Sequence, residues 1–264
     1  MSAFAEYKDT FTHAKLQRDD SGILLIRFHD DDGEFHWSFS AAGEIHQIFA
    51  AVGSDPDNRV IIMTGTGTHF LRFDLTRFGS EPEGKVNLTP LTADFSMRRQ
   101  IANIRTQLDI EVPVIAAING PVQTHAEIPL MSDICLAADT AYFADESHII
   151  HGGVPGDGAH VFWPAVLGAN RARYLLWMNE KIHAEEALRV GLVGEVLPPD
   201  DVLSRAYIIA RRLVDVPELT RRYTRLLLTQ NLRQAMLTEL PMSMALTQLS
   251  SLGRPRSADS AGSR

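Results

Sequence analysis

Short apolar runs, each parted from the next by a stretch with helical spacing, constrain this chain most. Gly22-Ile-Leu-Leu-Ile-Arg-Phe28, Arg59-Val-Ile-Ile-Met-Thr64, Glu111-Val-Pro-Val-Ile-Ala-Ala-Ile118 and Asp133-Ile-Cys-Leu-Ala-Ala138 read as buried strands, and Tyr142-Phe-Ala144 as a shorter one. Between the first two, Phe39, Ala42, Ile45, Ile48 and Phe49 recur at three and four, which predicts an amphipathic helix over 38–52, broken at 54–58. Residues 79–92 read as a loop, and further helices are expected near 93–108 and 125–131. Strands divided by helices in this way form βα units with parallel pairing, so the fold class is α/β. From Pro164 onward the pattern is almost wholly helical (159–177, 184–191, 200–214 and 217–250), and the last twelve residues carry no pattern and read as a loose tail.

With 264 residues and 45% of them hydrophobic, the chain can bury a core without staples. No apolar run reaches the roughly 18–20 residues of a membrane span, and the first twenty residues lack a secretory pattern. Cys135 is the only cysteine, so an internal disulfide is excluded and a reducing, cytoplasmic setting is expected. A net charge of −8 argues against nucleic acid as a partner. The arginines of 211–225 read as a solvated helix face, and Trp163 and Trp177, at helical spacing among apolar residues, as structural.

Two glycine-rich turns follow buried strands, at Thr64-Gly-Thr-Gly67 and Asn119-Gly-Pro121, but neither is a GxGxxG or a P-loop. HExxH, Cx2C, EF-hand and GxSxG patterns are absent too, so neither a metal nor a serine nucleophile has a sequence warrant. What remains is the segment 147–160, with His148, His151, His160 and Asp157 among four glycines and a proline. Across such a turn His148 and Asp157 could meet, Asp157 holding one tautomer while His148 takes a proton from water. The same residues also fit an ordinary hydrogen-bonded surface loop. His125 falls where a strand leads into a short helix, and Trp37 could line a pocket; taken alone, each reads first as a structural residue.

Residues from about 20 to 235 resemble the crotonase (enoyl-CoA hydratase/isomerase) superfamily. The resemblance rests on five segments in order: 60–67, 113–120, 132–138, Gly153-Val-Pro-Gly-Asp-Gly158 and 184–196. It implies a crotonase-like spiral of ββα units over 1–195, a C-terminal helical oligomerisation region over 196–252 and a flexible tail over 253–264. It also implies an enolate held by two backbone N–H groups. Where hydratases of that superfamily carry two glutamates, this sequence has Ile128 and His148, and the second oxyanion N–H would be that of His125. The narrower match, over 120–129 and 153–160 with Trp163-Pro164, is similar to the 6-oxocamphor hydrolase group of β-diketone hydrolases.

That group implies retro-Claisen cleavage of a carbon–carbon bond in a 1,3-diketone, with no cofactor and no metal. Carried over, His148 and Asp157 are the water-activating dyad and His125 the oxyanion-side histidine. Trp37, Arg72, Phe73, His151 and Thr247 are the candidate substrate-binding residues. Two features depart from the group: Thr247 stands where a glutamate is expected, and the loop 69–75 is one residue short, with Arg72 in it. The implied partners are a small diketone and further copies of the chain, as a homotrimer or a dimer of trimers. Two rival readings are a coenzyme-A thioester hydratase, isomerase or hydrolase that reuses His148 and Asp157, and a scaffold that has lost catalysis.

Overall fold

The computed structural model describes residues 3–80 and 89–252. A short helix, α1 (Ala3–Tyr7), precedes an antiparallel pair, β1 (Ala14–Arg18) and β2 (Ile23–Phe28). Helix α2 (Phe39–Ser54) starts at Ser38, whose hydroxyl accepts the Ala41 N–H at 2.9 Å, and it turns Ala42, Ile45, Ile48 and Phe49 inward. Strand β3 (Val60–Thr64), α3 (Leu75–Ser80) and α4 (Pro90–Leu108) follow, then β4 (Val114–Ile118), α5 (Glu127–Leu130), β5 (Ile134–Ala138) and β6 (Tyr142–Phe143). Next come α6 (Ala159–Leu167), α7 (Ala169–Met178), β7 (Ile182–His183) and α8 (Ala184–Arg189). Finally, β8 (Glu195–Leu197), α9 (Pro199–Val214) and α10 (Glu218–Leu252) complete the described chain.

Six strands form one sheet in the order β1-β2-β3-β4-β5-β8, parallel from β2 to β8. Every residue of β3 and β4 is buried because alternate side chains enter different cores. Ile61, Met63, Val114, Ala116 and Ile118 pack with α2 and α4, while Val60, Ile62, Ile115 and Ala117 pack with Val202, Ala206, Ala210 and Val214 of α9. Each such valine or isoleucine is worth about 1.5–3 kcal/mol when fully buried, which favours these runs in the middle of the sheet. Beyond its strand each turn of the chain makes one more β contact: His36 with Arg72, Leu71 with Val122, Val122 with Phe143. This strand, bridge and helix repetition is the expected ββα spiral.

Several expectations need correction. The helix expected over 159–177 breaks at Gly168, whose φ of 77° and ψ of 156° are not helical, leaving α6 and α7. Trp163 is buried as expected, but Trp177 on α7 is 71% exposed. The stretch expected as helix over 125–131 contracts to α5 because His125 takes a left-handed φ of 49°. Helix α4 starts earlier than expected, at Pro90, under a Thr89 capping box, and α3 takes 79 and 80 from the expected loop. The rest of that loop, 81–88, and the tail 253–264 lie outside the described residues. The expected boundary at 195 falls inside β8, and α9 beyond it covers the same sheet. Strands β7 and β8 and helix α1 are too short for periodicity to reveal, and β1, Ala-Lys-Leu-Gln-Arg, carries too few apolar residues to stand out. Among the described residues, no helix is long and apolar enough to cross a membrane.

The arginine face is corrected in part: Arg211 and Arg212 are exposed as expected, but two others are not. Arg221 and Arg225 are buried; Arg221 Nη1 donates to the Val216 carbonyl at 2.8 Å. Arg225 pairs with Asp133 and donates through Nε to the Ile110 carbonyl at 2.7 Å, so it pins α10 to the loops leading into β4 and β5. Removing one partner of a buried pair leaves the other charge uncompensated. Arg225→Ala is expected to lower the free energy of unfolding by about 3 kcal/mol, read from urea denaturation. Arg222→Ala, half-exposed, is expected to change it by less than about 1 kcal/mol.

Candidate active site

Four segments leave the carboxyl ends of β2, β3, β4 and β5 and run side by side, the end of a parallel sheet where ligands commonly bind. Backbone hydrogen bonds lace them together. Trp37 N–H donates to the Arg72 carbonyl (2.8 Å), Gln123 N–H to Leu71 (3.0 Å) and Glu146 N–H to Gln123 (2.9 Å). On this frame stand Trp37, His125 and His148, and the loop before α6 adds Asp157; all four are buried. The sequence expectation that His148 and Asp157 meet holds: His148 Nε2 lies 3.1 Å from Asp157 Oδ2. His125 joins them, its Nδ1 also 3.1 Å from Asp157 Oδ2, and Trp37 lies over the His125 ring with centroids 3.8 Å apart.

Two carboxylates that sequence reasoning passed over complete the group. Asp145 Oδ1 is 2.6 Å from His148 Nδ1, and Glu127 Oε1 is 3.0 Å from His125 Nδ1. The result is a buried chain of carboxylate, imidazole, carboxylate, imidazole and carboxylate: Asp145, His148, Asp157, His125 and Glu127. It reassigns a role, because Asp145 occupies the rear nitrogen of His148 and Asp157 faces the other. Asp145 sits three residues before His148, and Glu127 two after His125. Spacing alone does not reveal either, since both contacts depend on loop turns. His125 Nδ1, Glu127 and Asp157 also offer ligand atoms all within 4.8 Å of one another, the one such metal-capable set among the described residues.

Charge in this chain follows from burial set against neighbours. Burial disfavours the charged form of His148, but the Asp157 charge and the hydrogen bonds to Asp145 and Asp157 outweigh it and hold the imidazole well above its usual range. His125 is likewise raised: burial opposes, and the Asp157 charge and the Glu127 bond prevail. Burial works to raise Asp157 too, yet the two imidazoles beside it hold its carboxyl below the ordinary range. Glu127 is raised, chiefly by burial. Asp157 also precedes the first turn of α6, where the helix dipole favours a negative charge.

The remaining candidates take different places. Arg72, Phe73 and His151 line a surface cavity of about 310 Å³ with Gln123 and Glu146, and Trp37 and Thr247 lie outside its lining. The Arg72 guanidinium pairs with Glu34 at 2.6 Å, and its backbone N–H already donates to Phe35. The next N–H, that of Phe73, donates to Gln123 Oε1 at 2.9 Å, a side-chain acceptor that a ligand oxygen can replace by rotation. The backbone N–H of His125 donates no hydrogen bond among the described residues. Thr247 Oγ1 meets the carbonyls of Val154 (3.3 Å) and Ser243 (3.0 Å), so it braces the loop that presents Asp157. A Cβ at Gly156 in that loop would overlap Thr247 Oγ1 and the Ser243 carbonyl, which is why glycine stands there. His160 lies on α6, lowered by burial, and is not part of the chain. A larger cleft of about 710 Å³ lies at the other end of the sheet, between Arg18, Asp55, Arg59 and Arg221, and holds none of the candidates.

Residues 18–249 match the profile of the enoyl-CoA hydratase/isomerase family. A β-diketone hydrolase from the cyanobacterium Anabaena sp. PCC 7120, solved bound to (S)-3-oxocyclohexyl acetic acid, is 34% identical with a TM-score of 0.87, over 96% of this chain and 98% of that one. A crotonyl-CoA hydratase of Syntrophomonas wolfei is 30% identical over 69% of this chain and 68% of its own. A probable enoyl-CoA hydratase of Mycobacterium tuberculosis is 28% identical over 83% of this chain and 79% of its own.

Linkage turns the charge pattern into a stability prediction. His148, raised on folding, contributes stability that is fully present below its ordinary value of 6.5 and is lost as pH rises through its folded value. Asp157, depressed on folding, contributes stability present above 3.8 and lost as pH falls through its own. The urea midpoint is therefore expected to drop as pH rises above 6.5 in the wild type. The drop is expected to be smaller in Asp157→Asn; equal slopes would refute the coupling.

Proposed function

The chain belongs to the enoyl-CoA hydratase/isomerase family, the crotonase superfamily, and from that premise we propose that it hydrolyses a carbon–carbon bond of a 1,3-diketone. One observation carries the reading. Where hydratase chemistry needs two glutamates, this site offers the imidazoles of His148 and His125 joined through Asp157, with Ile128 buried and unable to move a proton. The likeness to a β-diketone hydrolase over nearly the whole chain supports it.

The steps follow from the geometry. Water stands against Asp157, whose Oδ1 is buried without a partner among the described residues and so is an open acceptor. Asp145 keeps a proton on Nδ1 of His148, and the proton from water reaches Nε2 through Asp157, whose Oδ2 lies 3.1 Å from that nitrogen. The hydroxide adds to one carbonyl carbon. The adduct then collapses, and the electron pair of the breaking carbon–carbon bond passes to the α-carbon of the second carbonyl as an enolate. His125, held charged, offers Nε2–H and its backbone N–H to the enolate oxygen, and the Phe73 N–H supplies a further donor once Gln123 turns aside. The proton taken from water replaces the lost bond at the α-carbon, which resets His148. A simple ketone gives no delocalised leaving group and does not react. Trp37, Arg72, Phe73 and His151 shape the substrate's side of the site.

Assembly belongs to the same proposal. Leu219, Tyr223, Leu227, Leu228 and Leu249 of α10 and Trp177 and Met178 of α7 are exposed, apolar side chains suited to contacts with further copies in a homotrimer or a dimer of trimers. Analytical ultracentrifugation is expected to give three or six copies (about 88 or 176 kDa from a 29.3 kDa chain). A monomer at micromolar concentration would refute this.

The direct test follows the enol absorbance of cyclic 1,3-diketones with the wild type, His148→Ala and Asp157→Asn. Turnover is expected in the wild type, reduced about 10²–10⁴-fold in His148→Ala. Because His148 acts unprotonated and its imidazole is raised, kcat/KM is expected to rise with pH through a midpoint above 6.5. No turnover, together with a clear thermal shift on adding coenzyme A, would point to thioester chemistry instead.

A further inference from the structure

We propose that Glu127 is a positioning residue for His125: it holds the proton on Nδ1, so that Nε2–H is the donor turned toward the reacting oxygen. The inference rests on the diketone reading for its substrate but not for its geometry. Glu127 is 2% exposed, and its Oε1 accepts from His125 Nδ1 at 3.0 Å. Nε2, on the other side of the ring, makes no hydrogen bond among the described residues, and Trp37 packs over the ring. Ile128, the next residue, occupies the position of a hydratase glutamate. The carboxyl in this chain thus stands one residue earlier and behind an imidazole, which carries its influence toward the substrate.

A left-handed His125 makes this contact available. With φ at 49°, the backbone reverses between residues 124 and 127, and the side chains of 125 and 127 come to face each other. Asp157 shares the same Nδ1 at 3.1 Å, so two carboxyls bracket one N–H. The charged and titratable groups that face His125 are Glu127 beside it, Asp157 from the loop before α6, and His148, with ring centroids 5.9 Å apart and Asp145 behind it. Of these, Glu127 alone touches His125 without also touching His148. Removing its charge therefore perturbs His125 while leaving the water-activating imidazole its own two partners.

The test uses Glu127→Gln and the milder Glu127→Asp in the full chain. In Glu127→Gln, kcat is expected to fall about tenfold with KM within about twofold, the loss of one charge-assisted hydrogen bond acting in the transition state. The high-pH limb of kcat/KM, where His125 loses its proton, is expected to move down by about one pH unit. The low-pH limb, set by His148, is expected to move less than the high-pH limb, and Glu127→Asp to fall between. In a His125→Ala background, Glu127→Gln is expected to cost nothing further. Unmoved limbs with wild-type kcat, or an equal loss in the His125→Ala background, would overturn the proposal, the latter by making Glu127 merely structural. Ring-nitrogen NMR of His125 with labelled histidine reads the same link without turnover. A lowered His125 midpoint in Glu127→Gln supports the proposal and an unchanged one overturns it, even if no diketone is a substrate.

Discussion

One oxygen, Asp157 Oδ2, lies 3.1 Å from an imidazole on either side, and the rest of the site is arranged around that sharing. A buried carboxylate between two buried rings is tolerable only if positive charge resides on at least one of them. The two histidines are therefore not independent groups: a proton gained or lost at one alters what Asp157 can offer the other. The outer carboxyls of Asp145 and Glu127 give each ring a second partner, so each can carry charge away from water. Glycines at 156 and 158, the start of α6 and the side chains of Ser243 and Thr247 fix where that oxygen stands.

Precision of this kind needs a frame, and the frame comes from ordinary burial. Strands β3 and β4 have no exposed face, so their carboxyl ends are fixed by two cores at once. The segments leaving those ends bond to one another through backbone groups, which makes the positions of Trp37, Phe73, His125 and His148 consequences of sheet order. Side chains can then differ without moving the scaffold, which is how one family hosts different chemistries.

Much of the scaffold was legible in the chain because the runs over 22–28, 59–64, 111–118 and 133–138 leave few alternatives to a buried parallel sheet. His148 and Asp157 were legible as a pair because glycines surround them. Glu127 and Asp145 were not, since each acts through a turn whose dihedral angles the sequence does not display: a left-handed His125 in one case, the bend into the 3-10 turn Ile149–His151 in the other. The burial of Arg221 and Arg225 escaped for a different reason. Helical spacing separates faces but does not say that both guanidiniums meet carbonyls ending other elements. Gly168 likewise looks harmless within an apolar helical pattern, and only its extended ψ shows the break.

Helix α10 does two jobs along one rod. Its inward residues Ser243 and Thr247 bond to the loop that carries Asp157, while Leu227, Leu228 and Leu249 on the same helix face outward. Inheritance therefore cannot treat its surface and its interior as separate traits. A substitution on the outer face falls on the same element that braces the loop of Asp157. The 35 residues of α10 thus join an exposed apolar face and the support of a buried carboxylate in one element.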